Sequence, residues 1–293
     1  MSMENILKHW NLTHMTVTPI VAARVSTWDI GGEFVLKQHE GTEEIDRSLM
    51  LSMLLAAEGI PVVTYHPTTE GMMTFYDGQH YYSLMTKLPG SRLDLYEQPD
   101  LASEMGRALS RLHIALARIE PKITACSDND LVAEWHNYIK PGLDGMIPME
   151  QVMRIEALLC ELYPKLPRQI IHRDAHMGNV LFDNGQVSGW FDFDISRKDV
   201  RLFDLIYLLS YLMPTHLTPH TPERVAIWRS LCDDIIAGYQ SIQPLTSVEH
   251  DALPMLMMVD GLLFVSFLGY RKEFEKQKAT LMGVEWLFGE YEW

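Results

Sequence analysis

His172-Arg173-Asp174 stands in the chain with Asn179 five residues after the aspartate, and Asp192 follows thirteen residues later within Trp190-Phe191-Asp192-Phe193-Asp194. A positioned carboxylate can take the proton of an attacking hydroxyl. An amide oxygen and a second carboxylate are hard donors of the kind that hold magnesium against phosphate oxygens. The ordered set matches H-R-D-x-x-x-x-N followed by D-F-x, and the chemistry of that set is phosphoryl transfer from ATP. Each part alone has a plainer reading: Asp174 in a turn or salt bridge, Asn179 ending a loop, Asp192 capping a strand. The three in this order point to the chemistry.

The flanking segments suit a catalytic loop. Gln169-Ile170-Ile171 and Val180-Leu181-Phe182 are short apolar runs, Asp183-Asn184-Gly185 is a turn signal, and Val187 to Phe191 reads as a further strand. A loop between strands, then a hairpin ending on Asp192, would present all three side chains. Lys37 follows Val35-Leu36 at the end of another expected strand, where a lysine can reach the α- and β-phosphates. Its plainer reading is an exposed strand-edge lysine.

At 293 residues the chain can build two lobes, and 47% hydrophobic with 22% charged residues is ordinary for a globular protein. No apolar run reaches the roughly 18 residues of a membrane span, the longest candidate being Leu202 to Met213 with Asp204 inside it. The N-terminus lacks a signal-peptide pattern. The three cysteines, Cys126, Cys160 and Cys232, are widely spaced and suggest neither disulfides nor zinc, which fits a reducing cytoplasm. A net charge of -15 argues against nucleic-acid binding, and an acidic cleft would concentrate a cationic small substrate.

The first ninety residues read as strands with one helix, Glu43 to Glu58, stopped by Gly59 and Pro61. Thr16 to Trp28 and Glu33 to Lys37 are strand-like around a turn at Asp29-Ile30-Gly31-Gly32, and Met72–Tyr76 with Gln79–Thr86 forms a hairpin across Asp77-Gly78. From Pro99 the pattern is mostly helical, with Leu101, Met105, Ala108, Leu109 and Leu112 forming one apolar stripe. The expected fold is α+β and two-lobed: a small β-rich N-lobe with one helix over residues 1–88, and a larger, mostly helical C-lobe over 89–293.

These residues resemble the aminoglycoside phosphotransferase and choline kinase-like superfamily, which shares its core with protein kinases. Lys37, His172, Asp174, Asn179, Asp192 and Arg201-Leu202-Phe203-Asp204-Leu205 carry the likeness. The resemblance implies a protein-kinase-like fold with ATP at the lobe junction, Asp174 as base, Asn179 and Asp192 as Mg2+ ligands, and Lys37 on the phosphates. It implies that His172 fixes the loop and that Asp204 braces it from the following helix. Asp192 and Asp204 are only twelve residues apart and no A-P-E follows. That leaves little chain for a peptide-docking platform and favours a small alcohol-bearing acceptor over a protein.

Three features depart from the pattern. No G-x-G-x-x-G precedes Lys37, and residues 21–27 occupy the phosphate-covering position. The helix position where the family has the acid partner of Lys37 is Ser48, with Asp46 close by and Glu44 one turn away on a similar face as candidate partners, the choice between them left open. Asp194 stands where protein kinases have glycine, and reads as a turn residue more than a second metal ligand. The departures keep a non-catalytic kinase-like binding module open as the alternative.

The acceptor is not legible. Glu285, Trp286, Glu290, Tyr291 and Trp293 could hold an amine by cation–π contact, or could pack a terminal helix on the core. Asp260, inside an apolar helix, needs either a buried arginine or a substrate amine as its partner. His172 and His176 have zinc-like spacing without a third ligand, while Pro219 separates His216 from His220. The oligomeric state is not written in the sequence.

Overall fold

The computed structural model describes residues 2–20, 26–123, 126–143, 145–213 and 221–290. The chain divides into two compact units, Met1–Arg92 with Asn179–Ser196, and Leu93–Gly178 with Arg197–Trp293. The expected single division at residue 88 therefore needs correcting, because the segment holding Asn179 and Asp192 packs with the N-terminal residues. Hydrogen bonding explains why: Trp190 N–H donates to the Pro61 carbonyl at 2.8 Å, and Ser91 and Phe182 exchange backbone bonds at 3.0 and 2.9 Å.

The first unit is built on an antiparallel sheet of β1 (Val17–Pro19), β2 (Thr27–Ile30), β3 (Phe34–His39), β4 (Tyr65–His66), β5 (Phe75–Tyr76) and β6 (Tyr81–Thr86). Its path runs β1-β2-β3-β6-β4, with β5 paired to β6. The register sets Lys37 opposite Thr27 on one side and Ser83 on the other. The turn between β2 and β3 takes Gly31 and Gly32 into the left-handed region, at φ 64° and 77°. Asp29 remains a strand residue, and its carboxylate accepts the Gly32 N–H at 2.7 Å. Leu36 and Leu84 join Ile30 and Tyr82 in a core closed by α1 (Met3–Leu7), a short helix the apolar patterning had not suggested. Helix α2 (Thr42–Ala57) buries Ile45, Ser48, Leu51, Ser52 and Leu55, the i, i+3, i+4 face of an amphipathic helix.

The second unit is helical: α3 (Ala102–Ile119), α4 (Leu131–Glu134), α5 (Lys140–Gly142), α6 (Met149–Leu162), α7 (Leu202–Tyr211), α8 (Pro222–Gln240), α9 (Ser247–Tyr270) and α10 (Phe274–Glu290). The stripe Met105, Ala108, Leu109 and Leu112 is buried as patterning required. Gly106 and Gly238 let α3 and α8 approach backbone to backbone, since a Cβ at either would sit 2.0 to 2.1 Å from a carbonyl oxygen. Strand β7 (Arg168–Ile171) pairs antiparallel with β10 (Arg197–Val200), which anchors the catalytic loop that follows β7. The hairpin β8 (Val180–Asp183) and β9 (Gln186–Trp190) turns at Asn184-Gly185, both left-handed at φ 49° and 77°.

One run-length expectation also changes. Helix α9 is 24 residues long with mean hydropathy 1.9 over its most apolar stretch, enough to cross a membrane by length and composition. Slightly over half of that stretch is buried within the fold. Its apolar character comes from packing on α7 and α10, and the acidic residues Glu249 and Asp260 interrupt the run.

Candidate active site

Helix α7 and the loop after β7 are tied together by one carboxylate. Asp204, fully buried in the first turn of α7, accepts the backbone N–H of His172 at 2.8 Å and of Arg173 at 2.7 Å. His113 Nε2 lies 3.1 Å from the same carboxylate, and its Nδ1 is 2.8 Å from the Tyr239 hydroxyl. The loop needs such clamping, because Arg173 has φ 70°, a conformation that costs a non-glycine residue about 1–3 kcal/mol. Its guanidinium is held by Glu134 at 2.7 Å and by Asp199, and it stacks over the Phe203 ring at 4.4 Å. Asp199 in turn accepts from Tyr163 and Asn129, both at 2.8 Å. Both the His172 ring and the Arg173 side chain thus fix the backbone rather than point at a ligand: the imidazole is fully buried and its Nδ1 accepts the Asp174 N–H at 3.3 Å.

Asp174 itself is part-exposed. The Tyr207 hydroxyl donates to its Oδ1 at 2.6 Å, and His176 Nε2 lies 3.5 Å away. Burial works to raise the Asp174 pKa, yet the bonds from His176 and Tyr207 outweigh it, with help from the imidazoles of His176 and His172, and bring it to about 2. The carboxylate is therefore ionised at neutral pH. His176 is placed by stacking on Tyr211 at 4.7 Å and by accepting the Gly178 N–H at 2.9 Å. Only glycine fits at 178, since a Cβ there would stand 2.4 Å from the His176 ring. His172 and His176 do not converge as metal ligands. His216 and His220 lie outside the described residues.

In the first unit, Lys37 Nζ contacts Asp192 Oδ1 at 2.8 Å and Asp194 Oδ2 at 2.7 Å. Burial lowers the lysine pKa, but the two carboxylates overcome it and hold the ammonium charged. Asp194 moves the opposite way: burial and the Asp192 charge raise its pKa against the pull of Lys37. Asp192 has φ 71°, a strained conformation for a non-glycine residue. Asn179 is buried, and its carbonyl accepts the Phe191 N–H at 3.2 Å, which sets it next to Asp192.

Glu44 is exposed on α2 and is not brought to Lys37, which corrects the expected pairing. The acids that neutralise Lys37 come from Asp192 and Asp194, and the buried α2 residue beside Asp194 is Ser48. Arg47 donates from its guanidinium to the Asp194 carbonyl. Asp194 does lie in a turn, as expected, while its carboxylate serves the lysine. The phosphate-covering residues 21–25 lie outside the described residues.

The donors suit magnesium. Asp194 Oδ1 is buried without a hydrogen-bond partner, and Asp192, Asp194 and Asn179 offer only oxygen ligands. No group of three or more His, Cys, Asp or Glu side chains among the described residues forms a metal cage. Mg2+ commonly binds through one or two carboxylates plus nucleotide phosphates, which is the kind of site these residues could complete.

Sequence reasoning passed over Tyr207 and Tyr211. With Asp204 they occupy i, i+3 and i+7 of α7, so one helix face carries the brace, the hydroxyl on Asp174 and the ring under His176. That spacing was present in the sequence. Trp286 packs edge-to-face on Trp228 at 5.7 Å and Glu285 is exposed, so the terminal helix uses Trp286 for packing. Tyr291, Trp293 and the Glu290 side chain lie outside the described residues.

Known proteins are similar to this chain. The model of a phosphotransferase enzyme family, APH, matches residues 22–245. A homoserine kinase of Polaromonas naphthalenivorans (strain CJ2) is 28% identical over 240 residues, covering 80% of this chain and 73% of that protein. Among solved structures, a microcompartment-associated aminopropanol kinase superposes with a TM-score of 0.74 at 18% identity, covering 96% of this chain and 94% of the other. The amicoumacin kinase hAmiN in complex with AMP-PNP, Ca2+ and Ami gives 0.72 at 16% identity, over 97% and 93%. The two-part α+β fold expected from the sequence is the fold of these kinases. With the model spanning most of its length, the chain belongs to the phosphotransferase enzyme family, among the protein-kinase-like small-molecule kinases.

Proposed function

We propose that this chain transfers the γ-phosphoryl group of ATP to a hydroxyl of a small molecule in the cytoplasm, with Asp174 as the base. The observation that carries the reading is the Asp174 carboxylate, ionised with a pKa of about 2, fixed by Tyr207 and His176 on a loop that Asp204 clamps. A carboxylate so weakly basic takes a proton only as the hydroxyl oxygen bonds to phosphorus. Its main work is orienting the nucleophile, which suits a loose phosphoryl-transfer transition state.

Lys37 steadies the nucleotide phosphates. Its ion pairs with Asp192 and Asp194 keep it charged, and their carboxylates beside it support a site where cation and phosphate would meet. Asn179 and Asp192 would hold the Mg2+, with Asp194 Oδ1 as a further oxygen; the bound ion supplies charge neutralisation for the phosphates. The short link from Asp192 to Asp204 leaves the acceptor to be a small molecule. The kinase relatives, homoserine kinase among them, act on compounds of that size.

The test is thermal unfolding with ATP, with Mg2+ and with both, followed by acceptor screening. Ligand at a hundred times its dissociation constant adds about 2.7 kcal/mol, a shift of several degrees for a chain of this size. A shift requiring both components is expected. Asp174→Asn should retain that shift while losing about 10²- to 10⁴-fold in turnover. Absence of any nucleotide-dependent shift, or full turnover by the variant, would overturn the reading.

A further inference from the structure

Helices α7, α9 and α10 line a partly open cavity of about 390 Å³ within the second unit. Its walls are chiefly apolar, with Phe264, Leu268 and Leu287 among them, and Tyr207 and Tyr211 line it from α7. Tyr207 is the residue whose hydroxyl donates to Asp174, so the cavity adjoins the base through one side chain.

Asp260 also lines this cavity. It is wholly buried, and neither carboxylate oxygen has a hydrogen-bond partner. The Ser210 hydroxyl, on the same cavity wall, faces the carboxyl closely enough to lower its pKa but makes no well-formed hydrogen bond with it. A buried carboxyl without partners is costly, and structural acids of that kind are paired with arginine or lysine. Among the described residues no such partner is present: Arg173 is committed to Glu134 and Asp199, and Lys276, at the cavity's exposed side, to Glu273 at 2.6 Å. Burial drives the Asp260 pKa up to about 7, against Ser210 and the charge of Arg173, so the group is poised to ionise when a cation arrives.

We infer that Asp260 is the ammonium-binding residue of the acceptor site, and that the acceptor is a small aliphatic amino alcohol. Its amine pairs with Asp260 and Ser210, its hydrocarbon lies on Phe264 and Leu268, and its hydroxyl reaches Asp174 past Tyr207. The inference rests on the phosphotransferase reading and narrows its substrate class. An acidic floor and apolar walls disfavour neutral polyols, whose hydroxyls would find few partners there. A carboxylate on the acceptor would find only Lys276, at the open side.

Calorimetric titration of the nucleotide-free protein tests this. The probes are 1,2- and 1,3-amino alcohols and homoserine, each beside its deamino and N-acetyl counterpart. Amines are expected to bind, and counterparts lacking the charge to bind about 30-fold or more weakly, the scale of losing one partner of a buried charge pair. Asp260→Asn, nearly isosteric, should abolish that preference and raise the amine's KM by a similar factor. Its Mg2+–ATP binding should stay near wild type.

Equal binding of amines and N-acetyl derivatives by the wild type would overturn the assignment, without depending on any variant. So would unchanged amine affinity in Asp260→Asn, or no amine binding at millimolar concentration. Amines that bind while no alcohol is ever phosphorylated would instead sink the kinase reading and leave the ammonium site standing.

Discussion

Tyr207 donates its hydroxyl to Asp174 Oδ1 at 2.6 Å from a position three residues after Asp204 on the same helix. One face of α7 therefore both clamps the catalytic loop through the backbone and sets the charge of its carboxylate. Tyr207→Phe removes a hydrogen bond to a charged group, worth about 1.5–3 kcal/mol, or one to two pKa units. Asp174 should then titrate one to two units above its present value of about 2. Because the ionised form is the active one, turnover in the variant should begin to fall on acidification toward pH 4, where wild type holds steady. Coincident pH–rate profiles would remove Tyr207 from control of the base.

Removing the brace should act on both stability and turnover. In Asp204→Ala the His172 and Arg173 amides and the His113 ring lose their buried acceptor. Each orphaned group costs about 1–3 kcal/mol, so unfolding should move down by on the order of 10 °C. The Arg173 backbone would relax from its left-handed conformation, and kcat should fall more than nucleotide affinity. Retained kcat in a folded variant would assign Asp204 to stability alone.

Lys37→Met deprives Asp192 and Asp194 of their shared cation. Affinity for Mg2+–ATP should drop by about 30-fold or more. The Asp194 carboxyl, already raised by burial, should rise further. With a folded pKa above the unfolded one, its penalty grows as pH climbs through that interval. The variant should therefore lose more melting temperature than wild type as pH climbs above the ordinary carboxylate value of 3.8, which scanning fluorimetry across that rise would read.

His39 gives a pH signature of opposite sign. The ring is buried against Ser83 Oγ at 2.9 Å, and burial with the Lys37 charge lowers its pKa from 6.5 to about 4. Between those values the unfolded chain takes up a proton that the folded chain refuses. Stability should therefore be full above pH 6.5 and decline toward pH 4, by about 3 kcal/mol in all. His39→Leu should flatten that part of the curve, and an undiminished slope in the variant would place the titration elsewhere.

The spacing of Asp174, Asn179 and Asp192, the strand before Lys37 and the Asn184-Gly185 turn are local properties, carried by residue types a few positions apart. Those features, with the family and its α+β fold, were legible in the amino-acid sequence. Pairing over long separations was not. Lys37 meets Asp194 across 157 residues, so the acid expected from Glu44 on the adjacent helix is supplied by a distant loop. For the same reason residues 179–196 join the N-terminal unit: their hairpin finds its backbone partners at Pro61 and Ser91. Asp260 shows the division most clearly. The sequence determined that an acid sits in an apolar helix and must be compensated. Only the packing of α7, α9 and α10 decided that it faces a cavity rather than a buried arginine, because whether a charge is paired depends on which helices fold against it.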